Sequence, residues 1–381
     1  MKVSVLQENL AKGVNIAGRM VASKAQLPVL SNILLATDKG KLRLSATDLD
    51  TGVNMRLGGK VEKEGKITVP AKIFLDLVSS LPKETVYLEV EGDRLKVKAG
   101  KFKAVVNGIS AEEFPEVPSL EKGKAGKAIE LDSSVLRDSL SQVALAAGVD
   151  EARPIFTGVK LEMGGKEIRM AATDGYRLSV KSIKGLEGAM KKQELVVPAK
   201  ALMELVKVLG GDPSSSSGQV EDRKVKLAAV AEEKQLIMVY EEIEIVTRLL
   251  EGDFPDFEKI IPSSSSTKIE LSKEDLSRAV RAAAIFARDS ANIVKFKIND
   301  KGLLISANAP QVGENEVQVE GKKTGEDAEI AFNSRYLTEM LSTIDEENIR
   351  LETSGALSPG VFKLLKDSSF LHIIMPVRVQ D

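Results

Sequence analysis

"IRMAATDGY", residues 168–176, echoes "LRLSATDLD", residues 42–50, and this echo decides how the chain divides. Asp48 and Asp174 stand 126 residues apart. Downstream, "VPAKIFLDLV" from Val69 is matched by "VPAKALMELV" from Val197, with Pro70 and Pro198 128 residues apart. "EEFPEVP" (112–118) is matched by "GDFPDFE" (252–258). The last third keeps this order more loosely. "LLISANAP" (303–310) takes the place of the ATD segment, and "AFNSRYLTEML" (331–341) takes that of VPAK. Asn308 follows Asp174 by 134 residues and Asn333 follows Pro198 by 135. A period near 130 far exceeds the roughly 20–50 residues of a solenoid unit. The spacing predicts three tandem domains of like fold, 1–120, 128–255 and 262–381.

Each copy carries the same local signals. An amphipathic helix comes first: in "SSVLRDSLSQVALAAG", Leu136, Leu140, Val143 and Ala147 fall on one face, with Ser133 or Ser134 placed to cap it. Alternating strands follow. In "TVYLEVEGDRLKVKAG", Val86, Leu88 and Val90 face one way and EGDR turns the chain toward Leu95 and Val97. A second helix starts at VPAK or its counterpart. Six helices are expected, at 7–21, 71–80, 133–147, 199–209, 272–288 and 333–344. Two helices plus several antiparallel strands per copy make the fold class α+β. "VPSLEKGKAGKAIE" (117–130) and "IPSSSSTKIE" (261–270) read as linkers, and the serine runs 214–217 and 263–266 read as solvated loops.

Composition narrows the function. The 381 residues are 43% apolar and 29% charged, with no cysteine, no tryptophan and a single histidine, His372. Disulfides, thiolate nucleophiles and Cys-ligated zinc are excluded, and a Ser-His-Asp triad would have to use His372. No G-x-x-x-x-G-K cradle for a nucleotide occurs. The N-terminus lacks the layout of a signal peptide, and no run of about 18 apolar residues is present, so no membrane partner and a cytoplasmic setting are expected. A net charge of −2 argues against a polyanion partner until the charge is placed. The six expected helices carry eleven Lys and Arg against seven Asp and Glu, so they hold +4 and the remainder −6. A shared helix face would be mildly basic, enough for loose phosphate contact without base reading. Ordinary solvated helix faces fit the same count.

These three copies, with "ATDGYRL" in the second, "FNSRYL" in the third and a terminal "MPVRV", resemble the bacterial β sliding clamp family, the β subunit of DNA polymerase III. The likeness runs in order through the whole chain. It implies a head-to-tail homodimeric ring of six domains, helices lining the hole and sheets outside, around double-stranded DNA without sequence preference. It implies partners too: the replicative polymerase catalytic subunit, an ATP-dependent clamp loader, and other polymerases and repair proteins. These carry a short peptide in which a glutamine precedes leucine and phenylalanine-like residues. No cofactor or metal is implied.

By motif match, the resemblance puts Thr173, Gly175, Tyr176, Arg177 and Leu178 in a peptide pocket between the second and third domains. Pro255, Lys259 and Ile260 are expected as a second wall, with Asn333, Tyr336, Met375, Pro376, Val377 and Arg378 completing it. Leu178, Ile260 and Val377 would give an apolar floor, and Arg177 and Arg378 would bond peptide carbonyls at the rim. A plain hairpin turn with a core-facing tyrosine fits 171–180 taken alone, and a last strand with an edge proline fits "IIMPVRV". The first copy has "ATDLDTG" without Tyr-Arg-Leu, so one pocket per chain is expected. DNA contact is assigned to Lys24, Lys72, Arg153 and Lys200. Pro154-Ile155 stands where some relatives carry a tyrosine pair, and Gln380-Asp381 extends past the usual end. Ile285 and Phe286 in "AAAIFARD" match the subunit interface; the plain alternative is one side chain in the core and one exposed.

Two rival readings exist. Asp48 and Asp174 as a catalytic carboxylate pair would make an enzyme, but their equivalent places in two repeats favour one structural turn used twice. A clamp of the archaeal and eukaryotic type has two domains per chain and closes as a trimer, which three repeats oppose.

Overall fold

Alternation and helical spacing take turns along the chain. Val3 and Val5 are buried and their neighbours more exposed, a period of two that makes Lys2–Leu6 a strand. The spacing of buried residues then lengthens to three and four at Leu10, Val14 and Ala17, and Gln7–Gly18 is a helix, α1. Five more helices follow: α2 (Ala71–Ser80), α3 (Ser133–Ala144), α4 (Ala199–Leu209), α5 (Lys273–Ala287) and α6 (Ser334–Ser342). All six lie where the sequence pattern put them, four of them shorter at an end. α5 begins where the Ser272 hydroxyl accepts from the Asp275 N–H at 3.3 Å, and α6 where Asn333 Oδ1 accepts from the Arg335 N–H at 2.9 Å.

This is a computed structural model, and it describes residues 1–22, 27–121, 128–186, 190–210, 223–230, 232–311 and 313–378. The serine run 214–217, Lys24 and Gln380-Asp381 lie outside the described residues. The chain packs as two compact units, Met1–Ser134 with Lys207–Leu249, and Val135–Val206 with Leu250–Asp381.

In the first unit an eight-stranded antiparallel sheet joins four strands of the first repeat to four of the second. The seam is Thr51–Leu57 against Ile243–Arg248, with Val53 opposite Ile245. A five-stranded sheet ends on Phe102–Asn107. α1 and α2 pack together, and Gln7 Nε2 donates to the Val78 carbonyl at 2.8 Å.

The second unit repeats the device. A nine-stranded sheet joins four strands of the second repeat to five of the third, along Arg177–Lys184 against Phe370–Ile374. A four-stranded sheet ends on Gly313–Val319. α5 and α6 cover a core in which Phe332 meets Phe296 edge-on at 5.3 Å and Phe362 at 5.8 Å. Each such aromatic pair contributes about 0.5–1.5 kcal/mol beyond its buried area.

The two seams obey one rule: the strand after an ATD turn pairs with the last strand of the next repeat. Gly313–Val319 occupies the first of these places in the third repeat, and Phe102–Asn107 is the last strand of the first. Both sit at sheet edges with one neighbour among the described residues.

Candidate functional site

The ATD turn is built from its own side chains. Asp174 Oδ1 accepts from the Tyr176 and Arg177 N–H groups at 2.8 and 3.0 Å. Thr173 Oγ1 accepts from the Gly175 N–H at 3.1 Å and donates to the Arg177 carbonyl at 2.6 Å. Gly175 sits at φ +92°, where any side chain strains the backbone. The first repeat makes the same turn. Asp48 Oδ1 accepts from the Asp50 and Thr51 N–H groups, Thr47 Oγ1 donates to the Thr51 carbonyl, and Leu49 takes the left-handed place at φ +80°. Both aspartates therefore spend a carboxylate oxygen on backbone amides, as the one-turn-used-twice reading requires.

Beyond the turn the strand lays an apolar floor. Leu178 is buried opposite Ile373 and packs with Ala171, Val180, Val361 and Phe257. Ile260 packs against the same cluster, in the short helical turn Phe257–Ile260. Pro255 is half-buried at the start of this strap, and Lys259 is exposed and paired with Asp256 at 3.0 Å. Ile373 and Val361 were missed by motif matching, although the alternation of "FLHIIMP" carries the signal for Ile373.

The terminal segment comes alongside. The Met375 N–H donates to the Tyr176 carbonyl and the Val377 N–H to the Ala331 carbonyl, both at 2.8 Å. Met375 is exposed, Pro376 and Val377 half-buried, and Arg378 exposed. Tyr176 is 62% exposed, so the core-facing alternative for this tyrosine fails. Thr173, Gly175, Tyr176 and Leu178 thus share a neighbourhood with Ile260, Met375 and Val377, within one compact unit.

Arg177 is not at the rim. It is buried, and its guanidinium is held on two sides: Nε donates to Asp174 Oδ2 at 3.0 Å, Nη1 donates to Glu339 on α6, and the plane lies 4.4 Å from the centre of the Tyr336 ring. It fastens the turn to α6 from a buried position. Tyr336 is half-buried; burial, then the Asp174 carboxylate, pushes its phenol up, with the Arg177 charge opposing. Asn333 is half-buried and spends its side chain on capping α6.

The equivalent surface of the first repeat is closed. Gly52 stands where Leu178 does, and a Cβ there would lie 2.9 Å from Val117, which with Leu120 packs over Val230, Ile237 and Val246.

Of the residues assigned to DNA, Lys72 on α2 and Lys200 on α4 are exposed. Arg153 is exposed, stacks on Phe156 at 5.1 Å, pairs with Asp150 at 3.3 Å, and reaches within 4.0 Å of the side-chain position at Gly175. It borders the ATD turn. Ile285 is 60% exposed on α5, whereas Phe286 is partly buried against the core; this split matches the plain alternative for the pair.

His372 shares a 2.5 Å hydrogen bond with the Ser179 hydroxyl across the seam. Neither residue exposes any surface, so no substrate reaches this Ser–His pair. Burial, with the Arg177 charge added, pulls the imidazole down to about 3. Unfolded, the ring takes a proton from about pH 6.5. Its contribution is therefore complete above pH 6.5 and is lost as pH falls toward 3. Between pH 7 and 5, wild type should lose about 2 kcal/mol more unfolding free energy than His372→Asn. Urea unfolding at the two pH values measures this; equal losses would contradict the assignment.

Three family profiles match in sequence. They are described as DNA polymerase III beta subunit, N-terminal domain (residues 1–118), central domain (130–256) and C-terminal domain (258–378). Relatives named beta sliding clamp include one from Synechococcus elongatus, 30% identical, and one from Vibrio cholerae, 28% identical, each aligned over all of both chains. The Bacillus subtilis DNA polymerase sliding clamp structure superposes with TM-score 0.90 at 26% identity, covering both chains entirely. A Thermotoga maritima DNA polymerase III beta subunit gives 0.89 at 27%, with the same coverage.

Proposed function

The chain belongs to the DNA polymerase III beta subunit family, the bacterial β sliding clamps, and from that premise we propose how its sheet edges, pocket and basic helices act together on DNA. It is a DNA sliding clamp and not an enzyme. A protein closed around a duplex needs no tight grip, because it is held by topology. Screened phosphate contacts let it slide while a tethered polymerase stays at high effective concentration.

The ring forms from two copies, head to tail. The observation that carries this reading is the pair of unmatched edges. At both seams inside the chain a post-turn strand pairs with a last strand, and one of each kind remains, Gly313–Val319 and Phe102–Asn107. Joining the first in one copy to the second in the other repeats the seam twice more and leaves neither edge open. The flanks are complementary. Phe102 and Val105 are exposed beside one edge and Ile285 lies on α5 beside the other. Lys98, Lys101 and Lys103 surround the first, Glu314, Glu316 and Glu320 the second.

Each copy consists of three clamp domains, 1–120, 128–255 and 262–381, and Lys24, Lys72, Arg153 and Lys200 contact the enclosed DNA. The surface of Thr173, Gly175, Tyr176, Leu178, Pro255, Lys259, Ile260, Met375, Pro376, Val377 and Arg378 takes a short peptide from the polymerase catalytic subunit, the ATP-dependent loader or a repair protein. Arg177, Tyr336 and Asn333 support it from beneath. Ile260 and Val377, half-buried over the packed Leu178 and Ile373, suit apolar peptide side chains, and exposed Met375 adapts to differing ones. Solution mass tests the assembly: near twice the 41.1 kDa chain mass supports the dimer, near three times the trimeric alternative.

A further inference from the structure

The apolar floor of the peptide surface does not stop at Leu178. Leu178 and Ile373 stand opposite one another across the seam, and Val180 and Leu371 form the next pair on the same face. Ser182 follows, its N–H donating to the Ser369 carbonyl at 3.0 Å. Val180, Leu371, Ser182, Ser369 and Lys184 all line one groove of about 770 Å³. Val180 and Leu371 also belong to the apolar cluster of Leu178, Ile373 and Ile260, so floor and groove are continuous. The turn Phe257–Ile260 walls both. Ile260 packs on the cluster, and Glu258 holds Arg169, which lines the groove with its guanidinium 5.0 Å from the centre of the Phe257 ring. Along this track the chemistry changes in order. Val180 and Leu371 are apolar, Ser182 and Ser369 carry hydroxyls, and Lys184 ends the strand with an ammonium. Lys192, on Met190–Pro198, reaches the same end beside Gly164. Both lysines are exposed, and neither has an ion-pair partner among the described residues. The row holds one carboxylate, Glu167 opposite Lys184, so this end has an excess positive charge. Glu162 and Glu194, one row nearer the pocket, are both held by Lys160, at 2.7 and 3.1 Å.

We propose that this groove takes an acidic stretch flanking the docked peptide, on the same partner chain. The inference rests on the peptide-pocket reading and adds Lys184 and Lys192, which motif matching did not assign. A segment running on from the pocket along Arg177–Lys184 meets the apolar shelf first, then the hydroxyls, then the two ammoniums. At roughly 3.3 Å per residue, about six extended residues span the distance from Leu178 to Lys184. Exposed charge pairs add little affinity each and are screened by salt. The motif core therefore holds the partner, and the flank ranks one partner against another.

The test is fluorescence anisotropy of labelled peptides with the full-length chain, at low and at high salt. One peptide has the Gln-Leu-Phe type core alone, one carries glutamates about six residues from the core on either side, and one carries lysines in those places. The glutamate peptide should bind wild type about fivefold more tightly than the core at low salt, and equally at high salt. With Lys184→Glu and Lys192→Glu together the gain should pass to the lysine peptide. With Lys184→Gln and Lys192→Gln it should vanish for both. Core binding and dimer mass should change in neither variant. No glutamate gain in wild type while the core binds overturns the proposal, and so does a gain that persists in the variants. A variant that loses the core peptide with its dimer intact also overturns it, making the lysines part of the pocket itself. A core peptide that fails to bind wild type removes the pocket reading, and this flank with it.

Discussion

A fluorescent peptide carrying glutamine followed by leucine and phenylalanine is expected to bind wild type with a micromolar Kd, about −8 kcal/mol, and to lose all measurable binding to a chain truncated before Met375. Truncation removes Met375, Pro376, Val377 and Arg378 together with the backbone bonds to the Tyr176 and Ala331 carbonyls. Met375→Ala is the milder change and should cost about tenfold, an ordinary value for a contact central to a peptide site. Tyr176 needs no supporting role in the core, being largely exposed, so Tyr176→Ala reads the rim without touching the fold. Dimer mass serves as the folding control for all three. Binding that survives truncation would move the site elsewhere on the molecule.

Charge reversal at the two edges should have the other large effect. A chain with Lys98→Glu and Lys103→Glu is acidic on both edges, and one with Glu314→Lys and Glu316→Lys is basic on both. Like charges meeting across an interface cost several kcal/mol, so each homodimer should weaken about 100-fold or more. Mixed one to one, the two chains should dimerise again, because every head-to-tail seam then joins opposite charges. Sedimentation or native mass spectrometry measures all three states. If Phe102–Asn107 instead paired with its own counterpart, the basic chain would dimerise as well as wild type, which would contradict the head-to-tail arrangement. Ile285→Asp should weaken the dimer without unfolding the chain, since that side chain is already in solvent.

The helices and the repeat were legible because they rest on local spacing. Leu136, Leu140 and Val143 announce a helix within one short window, and all three are buried. The seams were not legible. Thr51–Leu57 and Ile243–Arg248 pair across nearly half the chain, and the "VPSLEKGKAGKAIE" and "IPSSSSTKIE" segments, read as separators, do not reveal that sheets run on from one repeat to the next. Arg177 shows the same limit at the scale of one side chain. Motif matching placed it at the rim, but it is buried, and its partner Glu339 lies 162 positions away, out of reach of any local pattern. Ile373 had one, the alternation around it, as did His372, flanked at two-residue spacing by the buried Phe370 and Ile374. Asp48 and Asp174 were read correctly as one turn because the repeat itself supplied the comparison.

The central claim is topological, and retention on closed DNA tests it most directly. The protein is loaded with a clamp loader and ATP onto nicked circular duplex, separated from free protein in high salt, and the circles are then linearised with a restriction enzyme. A clamp held by encirclement stays with the circles, because screening phosphate contacts does not open a ring, and it is lost from linear DNA by sliding off the ends. Equal retention on circular and linear DNA, or loss from both as salt rises, would contradict the account.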